Sequence, residues 1–233
     1  MIKKTSLAVI GSLLSLTSFS QFWNVSEPVR LGGSVNSEAE ESIPVFSKDS
    51  SKLYFVRTYD ANNHGGETDQ DIWVSTRDAN GGYSDCERVK KLNNKFNNAI
   101  QGMGANGTTM FLLNAYDGKK DVIKGLTQVK SEAGGWSSPS KINIPNLDIE
   151  GEYYGFHVAK NAIIISHQGV NSLGAEDLYV STRKGSGWSA PVHMGNVVNT
   201  TGFEISPFLS DNGDTLFFSS DGHGGYGDAD IFY

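Results

Sequence analysis

The chain has 233 residues, and 26 acidic against 19 basic side chains give it a formal net charge of −7. A nucleic-acid-binding protein needs a basic face, so this balance argues against a nucleic-acid partner. The single cysteine, Cys86, excludes an internal disulfide, so packing alone must stabilise the fold.

The first twenty residues have the order of segments that is typical of a signal peptide. Two lysines at positions 3 and 4 precede an apolar run from Leu7 to Leu16, and the small residues of Ser18-Phe19-Ser20 precede Gln21. This run is too short to span a bilayer comfortably, and no later stretch is long and apolar enough to do so. We therefore expect a signal peptide at residues 1–20, an exported protein, and no transmembrane segment in the mature chain. A buried N-terminal strand or helix is the alternative.

Three patterns then recur in a fixed order, at intervals of 50 to 60 residues. The first is an apolar strand that follows a turn, at Leu53, Met110, Ile163 and Leu216. The second is an aspartate that begins an alternating strand, at Asp71, Asp121, Asp177 and Asp230. The third is an aromatic residue followed by serine and often proline, at Trp23, Tyr83, Trp136 and Trp188.

Each repeat holds about four short strands separated by Gly-, Asn-, Asp- and Ser-rich turns. Four antiparallel strands in a unit that recurs at this length are typical of a propeller blade. We therefore predict an all-β fold, a β-propeller of about four four-stranded blades, in residues 21–233. The approximate units are 23–82, 83–135, 136–187 and 188–233.

The last repeat stops at Tyr233, inside its third strand. We expect an incomplete propeller that is truncated at its C-terminus, because four blades are at the low end of known propellers. The alternative is a closed four-bladed ring in which the strand that begins at Trp23 supplies the missing strand of the last blade.

The segments KLYFV, DTLFFSSDG, DIWVSTR and WSAP resemble the WD40-like β-propeller repeats related to those of the periplasmic protein TolB. The resemblance is closest to the version found in bacterial envelope proteins with a C-terminal OmpA-like, peptidoglycan-binding domain. It implies a location in the periplasm or at the outer membrane and envelope proteins as partners. Peptidoglycan contact is implied only through such a C-terminal domain, which we expect to be absent from this chain. The second repeat departs from the pattern, because Asp121-Val122-Ile123 lacks the aromatic residue and the Ser-Thr-Arg tail.

Two loops share the pattern H-G-G-x-x-D-x-D, from His64 to Asp71 and from His223 to Asp230. Carboxylates two residues apart in a Gly-rich turn could converge on calcium, a cation that takes several oxygen ligands. The candidate ligands are Asp69, Asp71, Asp228 and Asp230. The alternative is structural, with glycines that allow positive φ and aspartates that cap their own turns. Because an aspartate recurs at the position of Asp71 and Asp230, that position favours the structural interpretation.

A propeller enzyme of the sialidase-like glycoside hydrolase type would need a central arginine cluster, and Arg57, Arg77 and Arg183 are the candidates. Arg77 and Arg183 occupy equivalent repeat positions, which blade architecture explains better than one active site does. The repeated aromatic residues favour blade packing, although exposed copies could stack on sugar rings.

We therefore predict a protein that is not an enzyme but a binding or scaffold module with protein partners. Its expected partner face consists of the loops 59–70, 118–120 and 166–176. A calcium-dependent glycan-binding module is a further alternative, and no other cofactor is expected.

Overall fold

The computed structural model describes residues 27–116 and 122–233. The predicted signal peptide, Trp23, Asp121 and the loop 118–120 lie outside the described residues. No helix in the described part of the chain is long and apolar enough to cross a membrane.

The described residues form seventeen strands in four antiparallel sheets, and one short 3₁₀ turn at Lys90–Leu92. Blade 1 contains β1 (Glu40–Phe46), β2 (Lys52–Thr58), β3 (Asp71–Thr76) and β4 (Glu87–Arg88). Blade 2 contains β5 (Ile100–Met103), β6 (Thr109–Ala115), β7 (Ile123–Glu132), β8 (Gly135–Trp136) and β9 (Ser140–Ile142). Blade 3 contains β10 (Tyr154–Val158), β11 (Ala162–His167), β12 (Asp177–Lys184), β13 (Gly187–Trp188) and β14 (Val192–His193). Blade 4 contains β15 (Glu204–Leu209), β16 (Leu216–Ser220) and β17 (Asp230–Phe232).

The four sheets are arranged as a four-bladed β-propeller, so the predicted fold class is confirmed. The first strands of successive blades are in contact, β1 with β5, β5 with β10 and β10 with β15. In blades 1, 2 and 3 the outer strands directly follow the third strand and pair with it. The segments that contain Tyr83, Trp136 and Trp188 therefore belong to blades 1, 2 and 3, in each case the blade whose third strand precedes them.

Each junction between neighbouring blades is a dry apolar layer. We call the face that a blade turns toward the next blade in the chain its trailing face, and the opposite one its leading face. At the first junction, Tyr54, Val56 and Ile72 of blade 1 pack against Met110 and Leu112 of blade 2. Strand residues alternate between the two faces, so a middle strand must be apolar on both. A fully buried Ile, Leu or Phe stabilises the fold by about 1.5–3 kcal/mol, which makes these layers the main source of stability.

The register of the outer hairpins corrects one predicted repeat position. Ser131 pairs with Trp136 in blade 2 as Arg183 pairs with Trp188 in blade 3. Counting back six residues from Arg183 gives Asp177, whereas counting back from Ser131 gives Gly125. The prediction that Asp121 holds this position in blade 2 is therefore wrong. Gly125 has φ +150°, a backbone conformation that favours glycine over aspartate.

An asparagine at the start of one repeat bonds to the third strand of the blade before it. The Asn199 side chain accepts a hydrogen bond from Leu178 N–H at 2.7 Å and donates to Leu178 C=O at 3.0 Å. Asn93 makes the same two bonds with Ile72, at 2.8 and 2.9 Å. We call this arrangement the asparagine clamp. It continues the outer side of β12 and β3 by one residue beyond the residues that pair with β14 and β4, so it also fixes where the next blade begins.

Replacing Asn199 with alanine should lower the free energy of unfolding by about 1–3 kcal/mol, because the buried Leu178 N–H loses its acceptor. Leu178 C=O keeps a second donor in Met194 N–H, so the loss should not be larger. Asn36, at the equivalent position before blade 1, donates only to Leu31 C=O within the described residues. Urea unfolding of Asn36→Ala should show a change of about 0.5 kcal/mol or less, and equal losses for both variants would contradict the clamp.

Candidate functional site

The aspartates of the first H-G-G loop bind backbone N–H groups. Asp71 is fully buried, and its Oδ2 accepts from His64 N–H at 2.7 Å and from the Arg88 guanidinium at 3.3 Å. Asp69 Oδ2 accepts from Gly65 N–H at 3.0 Å. Burial raises the pKa of both carboxyl groups. The structure thus brings Asp69 and Asp71 into one loop, where both cap its turn.

The second H-G-G loop differs in structure although its sequence matches. Asp230 Oδ2 accepts from Tyr226 N–H at 2.7 Å, four residues earlier, whereas Asp71 reaches back seven residues. Asp228 is exposed. Within residues 27–116 and 122–233, no three His, Cys, Asp or Glu side chains are grouped as metal ligands. The loop aspartates behave as the turn-capping interpretation expects, and the calcium site stays a prediction.

In two blades, an aspartate of the third strand forms an ion pair with a basic side chain of an outer strand. Asp177 accepts from His193 Nε2 at 2.7 Å in blade 3, and Asp71 pairs with Arg88 in blade 1. Arg88 and His193 are equivalent, because Arg88 is opposite Trp73 and His193 is opposite Tyr179. Sequence reasoning missed these basic residues. The signal was present, because a basic residue follows each outer-strand aromatic residue by five positions, at Arg88, Lys141 and His193. This pair is therefore a repeated feature of the outer edge of a blade.

Among the described residues, the equivalent aspartate of blade 4, Asp230, has no basic partner. In the described part of the chain, Asp230 forms no ion pair, and no strand pairs with the outer edge of β17. Blades 1, 2 and 3 each have at least one outer strand beyond the third. Among the residues that the structure describes, the edge of β17 therefore leaves backbone N–H and C=O groups unpaired next to a carboxylate, which is the chemistry of a strand acceptor.

The trailing face of blade 4 is apolar and exposed. Ile231 is 78% exposed and Tyr233 is 89% exposed, whereas the equivalent Ile72 and Leu178 are fully buried by the next blade. The Phe217 ring lies beside Tyr233, with 5.9 Å between ring centroids. We call Phe217, Ile231 and Tyr233 the blade 4 face. Together with the β17 edge and Asp230, it forms the candidate functional site.

No protein-family model matches this chain, and no curated protein matches its sequence. The candidate function therefore depends on the geometry of the described residues.

The arginines proposed for a hydrolase do not form one cluster. Arg57 is opposite Asp71, the first residue of β3, and Arg77 directly follows the last residue of the same strand. These two side chains therefore belong to opposite ends of blade 1. Arg183 stacks on Trp188, with the guanidinium carbon 3.8 Å from the ring centroid. Arg183 thus has a local structural role, and Arg77 is exposed.

Two of the predicted partner loops lie on the same side of the propeller. The loops 59–70 and 166–176 both connect the second strand of a blade to its third. Each carries exposed apolar side chains, with Tyr59 56% exposed in the first and Val170 81% exposed in the second. Most residues of both loops are polar, and the strands that the loops connect already have a partner on each side. It is therefore a weaker candidate for protein binding than the β17 edge.

Proposed function

We propose that this protein is a non-enzymatic binding module of the bacterial cell envelope, in the periplasm or at the outer membrane, whose partner is an envelope protein. We propose further that its blades are of the WD40-like type related to TolB and to OmpA-associated propellers. The repeat motifs and the signal-peptide-like start of the sequence support this part of the proposal.

The observation that carries the binding function is the exposed edge and face of blade 4. An exposed sheet edge next to an apolar face is a site for strand addition, in which backbone hydrogen bonds give affinity and side-chain contacts give specificity. Exposed apolar surface of this kind marks a site of protein interaction more often than a random surface position does.

The other blades indicate the chemistry of the partner strand. In blade 3 the added strand is β14, which pairs Val192 with Val180 and His193 with Tyr179, and His193 binds Asp177. By equivalence, a strand on β17 would place a basic side chain at Asp230 and an apolar side chain beside Tyr233. The partner should therefore present an extended segment with an apolar residue followed by a basic one.

A labelled peptide with the sequence of residues 187–194 and arginine at the histidine position tests this proposal by fluorescence anisotropy. We expect it to bind the full chain, and Asp230→Asn to weaken binding by about tenfold, because a charge-assisted hydrogen bond is lost. Ile231→Asp should weaken it similarly, because it places a charge in the apolar contact.

Asp228→Asn is the matched control, since it removes the same charge from an exposed position in the same loop. It should leave peptide affinity unchanged. A peptide that does not bind, or that binds equally to the Asp230→Asn and Ile231→Asp variants, would show that the β17 edge is not a strand acceptor.

A further inference from the structure

The outer-strand tryptophan of blade 2 lacks the cover that its counterpart has. In blade 3 Arg183 lies opposite Trp188 across the hairpin, and its guanidinium stacks on the indole, so Trp188 is 8% exposed. Blade 1 has Arg77 opposite Tyr83 at this position. Blade 2 has Ser131 opposite Trp136, and a serine side chain is too short to cover an indole ring. Trp136 is accordingly only half-buried.

The uncovered ring of Trp136 lines an open groove of about 590 Å³ between blades 1 and 2. The β1–β2 turn of blade 1 supplies Lys48 and Lys52 to its lining, and Asn106 comes from the β5–β6 turn of blade 2. The volume lies within the range of about 300–1,000 Å³ that is usual for small-ligand sites. The groove is separate from the blade 4 face and does not depend on the strand-acceptor proposal.

The walls of the groove are held in place. Tyr54, which is 4% exposed, meets Trp136 edge to face with 6.1 Å between ring centroids, and burial raises its pKa. The β1–β2 turn is closed by Asp49 Oδ1, which accepts from the Ser47 hydroxyl and from Ser51 N–H and Oγ. These hydrogen bonds, of which that from Ser47 is strongest, lower the pKa of Asp49 to about 2. A ligand would therefore meet a pre-ordered surface.

The groove lining carries two ammonium groups, on Lys48 and Lys52, and one carboxylate, on Asp49, so its net charge is positive. Neither Lys48 nor Lys52 forms an ion pair with a carboxylate in residues 27–116 and 122–233. The nearby carboxylate of Asp49 has one oxygen committed to the turn. Two ammonium groups beside an aromatic platform favour a ligand that is anionic and also has a flat apolar face.

We propose that this groove binds an acidic glycan, a chain of sugars that carries carboxylate groups. The C–H groups on one face of a sugar ring would pack on the exposed face of Trp136, and the Asn106 amide would bond to hydroxyl groups. A sugar carboxylate would bind Lys48 and Lys52. The aromatic platform selects a sugar over a simple anion, and the lysines select an acidic sugar over a neutral one.

Calorimetric titration of the full chain at low ionic strength tests this proposal with two probes, trigalacturonate as the acidic glycan and chitotriose as the neutral one. We expect trigalacturonate to bind, and chitotriose to bind at least about tenfold more weakly because it makes no charge-assisted bond. Trp136→Ala should weaken trigalacturonate binding by more than about tenfold, because it removes the stacking surface.

Ser131→Arg provides a test that does not depend on the fold tolerating the loss of a tryptophan. It puts into blade 2 the residue that covers the indole in blade 3, so it should weaken trigalacturonate binding even though it adds a positive charge beside the groove. Ser138→Arg makes the same change at an exposed position outside the groove and should leave binding unchanged. Unaltered binding by Ser131→Arg, equal affinity for both probes, or no binding of trigalacturonate would each overturn the proposal.

Discussion

Replacing Arg57 with methionine should lower the free energy of unfolding by about 3–5 kcal/mol, the usual cost of breaking a buried ion pair from one side. The Arg57 guanidinium is 2.9 Å from Glu41 Oε1 and 3.2 Å from Asp60 Oδ2, and it donates to Val35 C=O at 3.1 Å. Methionine would fill much of the space but leave two carboxylates without their cation.

The Arg57 side chain also packs on two aromatic rings of blade 1. Its guanidinium carbon lies 4.6 Å from the Trp73 ring centroid and 5.3 Å from that of Phe55, so the leading face of blade 1 loses two cation–π contacts as well. Urea unfolding followed by tryptophan fluorescence measures the change. Arg77→Met, at an exposed position, is the matched control and should change stability by about 0.5 kcal/mol or less. A loss below about 1 kcal/mol for Arg57→Met would contradict this account.

Leu178→Ala should destabilise the protein by about 2–5 kcal/mol, because Leu178 is fully buried in the layer between blades 3 and 4. The substitution removes apolar contact with Phe218 and leaves a cavity that the two sheets cannot close without moving. The chain itself contains the matched control. Ile231 has the equivalent position in blade 4 but is 78% exposed, so Ile231→Ala should cost about 0.5 kcal/mol or less.

Thermal unfolding of the two variants distinguishes a packing effect from an intrinsic strand preference. Both substitutions replace a large aliphatic residue near the start of a third strand, so the loss of strand propensity is similar. If Ile231→Ala destabilised the chain as much as Leu178→Ala does, the blade 4 face would have to be covered in solution. That result would count against the strand-acceptor proposal.

The propeller could be predicted from the sequence because its physical cause is repeated along the chain. Residues at the positions of Leu53 and Ile163 must be apolar wherever one blade packs on another, and the turns between them need Gly, Asn or Asp. The prediction of an aspartate at the start of the third strand was wrong for blade 2, where Gly125 has the position of Asp71 and Asp177. Gly125 has a positive φ, which favours glycine at this position, and the spacing of the repeats does not reveal the backbone conformation.

The candidate sites were harder to predict, because each depends on a difference between repeats. Ile231 matches Ile72 in sequence, and only the arrangement of the blades shows that one is exposed and the other buried. Trp136 matches Trp188 in the same way. The deciding residue is Ser131 in place of Arg183, which becomes meaningful only when the hairpin register shows what lies opposite the indole.

The asparagine clamp has a consequence for how such a chain can change its length. Each clamp is encoded at the start of one repeat, and the backbone that it holds belongs to the third strand of the repeat before. A duplicated repeat would carry both the asparagine of a clamp and a third strand that can be clamped. The new junction would therefore form without further mutation. Junctions built in this way would let a chain of this kind gain or lose a blade by recombination without a new interface having to evolve.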